Sequence, residues 1–224
     1  MTDTPLEAGI TVAGEHLVLL PERAALWTAA RTLLVADAHW GKAAAFRAGG
    51  LPVPEATTLD GLERLDRILA RHEVRRILYL GDYLHARTGR SSATLGALRE
   101  WVQRRPELEQ VLVRGNHDRG AGDPPADLGV RCVDAPMREE PFSFRHFPAE
   151  DGEGYVMAGH VHPAVRLVGR GRQRARLPCF WVRPRCAVLP SFGDFTGAGE
   201  IEPRTGHRVF VVLDHGVLEV PETA

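Results

Sequence analysis

At 224 residues, with 44% apolar and 25% charged side chains, the chain is long enough to bury a substantial core and has the composition of a globular protein. A net charge of -1 excludes a global positive field for nucleic acid or an anionic membrane. No apolar run approaches the roughly 18 residues of a spanning helix, so no membrane association is expected. Lys42 is the single lysine among 28 basic residues, a bias that reads as codon composition. Cys132, Cys179 and Cys186 form no CxxC pair and read as reduced structural thiols. Acids at Asp3, Glu7 and Glu15 and the lack of an apolar leader predict a cytoplasmic protein.

In chain order, a polar lead-in precedes short strands around Ile10–Val12, His16–Leu20 and Ala25–Trp27, with a turn at Pro21-Glu22. The run Leu33-Leu34-Val35-Ala36 is a buried strand that ends in Asp37-Ala38-His39. An Ala-rich helical turn leads to Phe46, and Gly49 to Pro54 is a loop. From Glu55 to His72, Leu59, Leu62, Leu65, Ile68 and Leu69 recur at three- and four-residue spacing, an amphipathic helix. Arg75–Leu80 is a strand followed by Gly81-Asp82, Ala93–Arg104 a helix, and Val111–Val113 a strand followed by Arg114-Gly115-Asn116-His117-Asp118. Strands alternating with helices predict α/β architecture with the polar clusters gathered at one sheet edge.

The second half changes period. Val130–Val133, Phe142–His146, Tyr155–Ala158, Ala164–Val168, Phe180–Val182, Ala187–Leu189, Val209–Leu213 and Val217–Val220 are short and β-like, with a hairpin turn at Asp214-His215-Gly216. They predict a second sheet packed on the first. Without repeats or a linker, residues 1–224 are expected to form one domain.

Collected, the strand-end clusters are Asp37-x-His39, Gly81-Asp82-x-x-His85, Gly115-Asn116-His117-Asp118, a lone His146, and Gly159-His160-Val161-His162. Two ions about 3.5–4 Å apart need a shared ligand, nitrogen and oxygen donors on each side, and room for water and phosphate. Asp82 is the best placed bridge. Asp37, His39 and one histidine of the last pair can complete one ion; Asn116, His146 and the other histidine can complete the second.

This order of motifs resembles the calcineurin-like metallophosphoesterases, and the five pieces span residues 37–162. The resemblance implies a four-layer α/β/β/α sandwich with two mixed sheets and a dinuclear centre. It gives Asp37, His39, Asp82 and His162 to one metal, and Asp82, Asn116, His146 and His160 to the other. It places His117 beside the scissile phosphate as a catalytic residue, oriented by Asp118, with in-line attack by a metal-bound hydroxide. The flanks Trp40-Gly41-Lys42, Phe46-Arg47, Leu51-Pro52-x-Pro54, Tyr83-Leu84-His85 and Leu189-Pro190-Ser191-Phe192-Gly193 resemble the bacterial ligase-associated DNA damage response endonuclease (PdeM) family. That implies a DNA substrate, manganese (or iron or zinc), and DNA ligase and helicase-type repair proteins as company; oligomeric state is left open, a homodimer included. Ala38 and Trp40 stand where larger aliphatic residues are expected, which would alter substrate access.

His85 reads as a partner that orients a ligand rather than a ligand. His16, His72, His207 and His215 read as ordinary surface or core residues. Lys42 and Arg119 flank the site and are candidates for phosphate contact, with solvated surface as the alternative. The run Arg166, Arg170, Arg172, Arg174, Arg176, Arg183 and Arg185 would make a basic hairpin for a polyanion, or an ordinary exposed loop. The reading is therefore a divalent-metal phosphodiesterase acting on nucleic acid, a DNA endonuclease in repair. Its rivals are a phosphodiesterase or phosphatase for a small nucleotide, which needs a closed pocket, and a scaffold that has lost its metals, which should lack ligands.

Overall fold

The computed structural model describes residues 5–53, 57–150, 153–168, 174–194 and 196–221. Its first sheet has seven strands in sequence order: β1 (Ala8–Val12), β2 (Glu15–Leu20), β3 (Ala24–Trp27), β4 (Thr32–Val35), β5 (Arg76–Tyr79), β6 (Glu109–Val113) and β7 (Val130–Val133). The first four are antiparallel and β4 to β7 parallel. The parallel half needs crossovers. Helix α1 (Lys42–Ala48) and α2 (Thr57–Arg71) lie between β4 and β5, and α3 (Ser92–Gln103) lies between β5 and β6. The Ser91 hydroxyl caps α3 by accepting from the Thr94 amide at 3.1 Å.

The second sheet contains β8 (Met137–Glu139), β9 (Phe142–Phe144), β10 (Tyr155–Ala158), β11 (Pro163–Val168), β12 (Arg174–Val182), β13 (Cys186–Val188), β14 (Gly199–Glu200), β15 (Arg208–Leu213) and β16 (Gly216–Val220). Its path runs β14-β11-β12-β13-β10-β9-β8, with β15 and β16 branching from β12. The first half of β12 pairs with β11 and the second half with β13 and β15.

Side-chain alternation builds two layers of core from one set of strands. Leu34, Ala36, Leu78, Leu80, Val111 and Val113 face the second sheet, against Phe142, Phe144, Met157 and Phe180. Leu33, Val35, Ile77, Tyr79 and Leu112 face the helices, against Leu62, Leu65, Ile68, Leu98 and Trp101. That double burial explains the unbroken apolar run at 33–36. Each of these aliphatic side chains contributes roughly 1.5–3 kcal/mol by leaving water.

The α/β class and the two mixed sheets are as expected, and the departure is in the outermost layer. Among the described residues no helix follows Leu128, so the second sheet carries no helical fourth layer. Val156, Ala158, Cys186 and Val188 on its outer face are packed by Val161 and Trp181 instead. The Trp181 indole donates to His207 Nδ1 at 3.1 Å and is covered by the Arg183 guanidinium. Leu59, expected in the buried stripe of α2, is exposed. Ala38 and Trp40 are both 3% exposed, and the Trp40 ring fills the space above Gly61 of α2. They belong to the helix-facing core and do not shape access to the strand ends.

Candidate metal centre

The parallel register sets β4, β5 and β6 side by side, with Val35 opposite Tyr79 and Tyr79 opposite Leu112. Their chains leave the sheet together, carrying Asp37 and His39, Asp82, and Asn116 and His117. From the second sheet, β9 delivers His146 and β10 delivers His160 and His162. Asp37, His39, Asp82, His160 and His162 all have positive φ, between +47° and +68°. Non-glycine residues pay for that conformation, so five together mark a place where the surrounding structure imposes the backbone. Two glycines make room: a Cβ at Gly81, itself at φ +86°, would strike the His146 ring, and one at Gly159 would strike the Asp37 carboxylate.

All seven predicted donors meet. Around Asp37, which is fully buried, Oδ1 lies 3.4 Å from His162 Nε2 and 3.7 Å from His146 Nδ1, while Oδ2 accepts the His160 amide at 2.9 Å. Asp37 Oδ1 is buried with no hydrogen bond among the described residues. An orphaned carboxylate oxygen is costly unless a cation completes it. His39 Nε2 lies 3.7 Å from Asp82 Oδ2. On the other side, His146 Nε2 faces Asn116 Oδ1 at 2.8 Å, His160 Nδ1 at 3.1 Å and Asp82 Oδ2 at 3.5 Å. Asp37, His39 and His162, and Asp37, Asp82 and His146, each bring their donor atoms close enough to share an ion.

Backbone carbonyls fix three imidazole tautomers, because a carbonyl only accepts. Leu80 O takes the Nδ1–H of His146 at 3.0 Å, Gly197 O that of His162 at 2.8 Å, and His85 O that of His117 at 2.8 Å. Each leaves Nε2 with a lone pair facing inward. His85 Nδ1 stands 3.3 Å from His39 Nδ1, on the side of the ring away from Asp82.

Burial, with Lys42 and the neighbouring histidines, holds His39 at about 2, and burial with Lys42 and His117 holds His85 at about 4. Both imidazoles are neutral at physiological pH. Burial raises the Asp82 carboxyl despite the opposing pull of His146 and the His117 amide. His162 is lifted: burial works against its charge, but the adjacent Asp37 carboxylate outweighs it. Neutral nitrogens against crowded carboxylates make a centre short of positive charge.

Asp118 is placed differently from the expectation that it orients His117. Its Oδ2 accepts the Gly115 and Asp82 amides, both at 2.8 Å, and its Oδ1 the Tyr83 amide at 2.9 Å. The carboxylate caps α4 (Asn116–Ala121) and pins the β5 turn, while the His85 carbonyl holds the His117 ring. Lys42 opens α1, half-buried, its ammonium lowered by burial and drawn up by Asp37 and Asp82. Arg119 is exposed on α4.

The described members of the basic run do not gather at the centre, and Arg170, like Arg172, lies outside the described residues. Arg174 stands opposite Val168 in register, roughly 20 Å along β11 from His162, and Arg166 pairs with Glu200 at 2.7 Å. Arg183 pairs with Glu150 at 2.9 Å.

The stretch 189–196, which reads from the sequence as a structural strand and turn near the site rather than a substrate contact, braces the donors from behind. The Phe192 and Gly193 amides donate to the Ala36 and Asp37 carbonyls at 2.8 and 3.0 Å, and the Ser191 hydroxyl donates to Asp37 O at 3.0 Å. Gly197 then supplies the carbonyl that fixes His162. Arg64 of α2 locks the segment, donating to Phe192 O at 2.6 Å and to both oxygens of Asp194. The segment's signal in the sequence is the flanking motif Leu189-Pro190-Ser191-Phe192-Gly193.

The centre opens to solvent: Asn116 and His160 are exposed, and a hollow of about 380 Å³ lies on the Asn116 side, lined by His85, Arg87, Asn116, His117 and Gly120 among others. No helix among the described residues is long and apolar enough to cross a membrane.

A family model described as calcineurin-like phosphoesterase matches residues 30–183. The chain is also similar to the crystal structure of Pseudomonas putida nuclease MPE, at 44% identity and a TM-score of 0.84, over 96% of this chain and 100% of that one. No curated protein matches it.

Proposed function

Because the chain belongs to the calcineurin-like phosphoesterase family, we propose that it is a metal-dependent nuclease that cuts DNA internally, as one phosphoesterase domain spanning residues 1–224. The nuclease MPE, similar over nearly the whole length, supports nucleic acid as the substrate. The observation that carries the reading is the convergence of seven donors around an orphaned carboxylate oxygen on an open face. An extended strand can lie across such a face; a small nucleotide would call for an enclosed pocket.

The donor set fits two divalent cations. Asp37, His39, Asp82 and His162 would hold one, and Asp82, Asn116, His146 and His160 the other. When bound, such ions polarise the phosphate and activate water for attack. The chain's own part is positioning and proton handling. His117, fixed through Nδ1 to the His85 carbonyl, presents Nε2 4.0 Å from Asp82 Oδ2; as imidazolium it can protonate the leaving oxygen. His85 keeps the His39 ring turned, and Asp118 holds the two turns that carry Asp82 and His117. Lys42 and Arg119 would meet phosphates flanking the scissile bond, with Arg174 reaching only more distant ones. From the resemblance of the flanking motifs we assign manganese as the metal, the cytoplasm as the compartment, and DNA repair beside ligase and helicase-type proteins as the setting.

The test is metal-stripped protein restored with manganese and offered circular single-stranded DNA, a small phosphodiester and a phosphomonoester. Cleavage of the circle, silent in Asp82→Asn and His117→Ala, is the expected result. Turnover of the small diester alone would remove DNA as the substrate.

A further inference from the structure

We propose that Phe147 forms a nucleobase-stacking subsite on the rim of the centre, seating the base next to the scissile phosphate; this rests on the nuclease reading above. Phe147 is one of six large apolar side chains exposed among the described residues, at 50%, and it follows His146, which is 1% exposed. Its ring centroid lies 4.3 Å from that of His160 and 4.9 Å from that of His146. The ring thus packs against two of the donors while half of the side chain stays open to solvent. A scattered exposed phenylalanine is unremarkable. One set against the imidazoles that would hold the phosphate-binding ion is within a nucleotide's reach of that phosphate.

The ring is also preorganised. The Arg145 amide donates to Met157 O at 3.0 Å and the Gly159 amide to His146 O at 3.1 Å, tying the chain just before Phe147 to β10 and the turn that follows it. Pro148 follows and restricts Phe147 to extended backbone. A fixed aromatic ring beside a phosphate site is how proteins grip single strands without reading sequence, because every base has a π-face. The neutral chain supplies no general field for the backbone, so stacking is a natural source of grip here. Within the basic run, Arg166 and Arg183 are already paired with Glu200 and Glu150.

The test compares wild type, Phe147→Ala and Phe147→Trp, with manganese, on a short oligothymidylate and on the same backbone built from abasic residues. Phe147→Ala should raise KM for oligothymidylate about tenfold, an effect of the size stacking carries, and leave KM for the abasic oligomer within about twofold. Phe147→Trp should restore the wild-type value. Equal losses on both oligomers would overturn the subsite, reducing the ring to a wall for His146 and His160; no loss on either overturns it too. Wild type that spares both oligomers yet hydrolyses a small diester overturns the nuclease reading, and the subsite falls with it.

Discussion

Asp37 and His39 are sealed under the edge of the first sheet, at 0% and 4% exposure, while Asn116 and His160 of the facing donor group stand in solvent. The two groups share Asp82 and the same strand-end geometry, yet their surroundings are opposite. The sealed group is gripped from behind by His85 and by the Ser191-to-Gly197 segment. The open group has the Leu80 carbonyl behind His146, Asp118 at the start of α4, the His160 amide on Asp37, and the exposed Phe147 beside it. Burial strengthens every electrostatic contact and slows exchange. The Asp37–His39 side of the centre is thus built for retention and the Asn116–His160 side for access, where a substrate must enter.

The sharpest way to break this picture is at the shared residue. Asp82→Asn keeps shape and removes the charge that both groups use, so diester turnover should fall by at least about 10³-fold. Bound metal, read by mass spectrometry of native protein, should fall on both sides together. Loss of a single ion would mean that Asp82 serves one group only. His117→Ala should cost about 10²-fold in kcat with metal content unchanged: its imidazole gathers with those of His39 and His85, but its assigned part is proton transfer. A loss of metal in that variant would make His117 a ligand.

Much of this comparison was legible beforehand, and the parts that were not have physical reasons. Asp and His residues at the ends of apolar runs have few uses in a core, so the donor set could be listed from residue types. The exposure of Asn116 against the burial of Asp37 depends on how two sheets stack, which no local pattern carries. The left-handed backbone at Asp37, His39, Asp82, His160 and His162 breaks the rule that such turns use glycine, and the carbonyls behind His146, His162 and His117 have no side chain to announce them. Helix α4 begins in Asn116-His117-Asp118, poor helix formers held by one carboxylate. The outer face of the second sheet has the same alternation whether a helix or Trp181 covers it.

Arg64 sharpens the comparison, because it supports the sealed group alone. It lies on α2, stacks over Phe192 at 4.6 Å, and with Arg23 holds Asp194 at 3.2 Å. Arg64→Gln should loosen the 191–197 segment, weakening the ion of the sealed group by roughly 10–100-fold and leaving the other ion in place. Manganese titration by calorimetry or electron paramagnetic resonance would resolve the two. Equal weakening of both would show that the segment steadies the whole centre.

The smallest effect concerns acid and the metal-free protein. His39 and His85 are held at about 2 and about 4, below the 6.5 of an exposed histidine. Between about pH 6.5 and 4 the unfolded chain therefore takes up protons that the folded chain refuses, and folding stability falls as pH falls through that window. His162 has the opposite sign: its raised value adds stability that is present below 6.5 and lost as pH climbs through its folded value. In chelator-treated protein the urea midpoint should accordingly be lower at about pH 5 than at about pH 7. The His85→Gln variant should lose part of that slope, because its share of the refused protons is gone. A midpoint indifferent to pH in both proteins would mean that water reaches His39 and His85 once the ions are removed, and that retention belongs to the ions rather than to the burial around them.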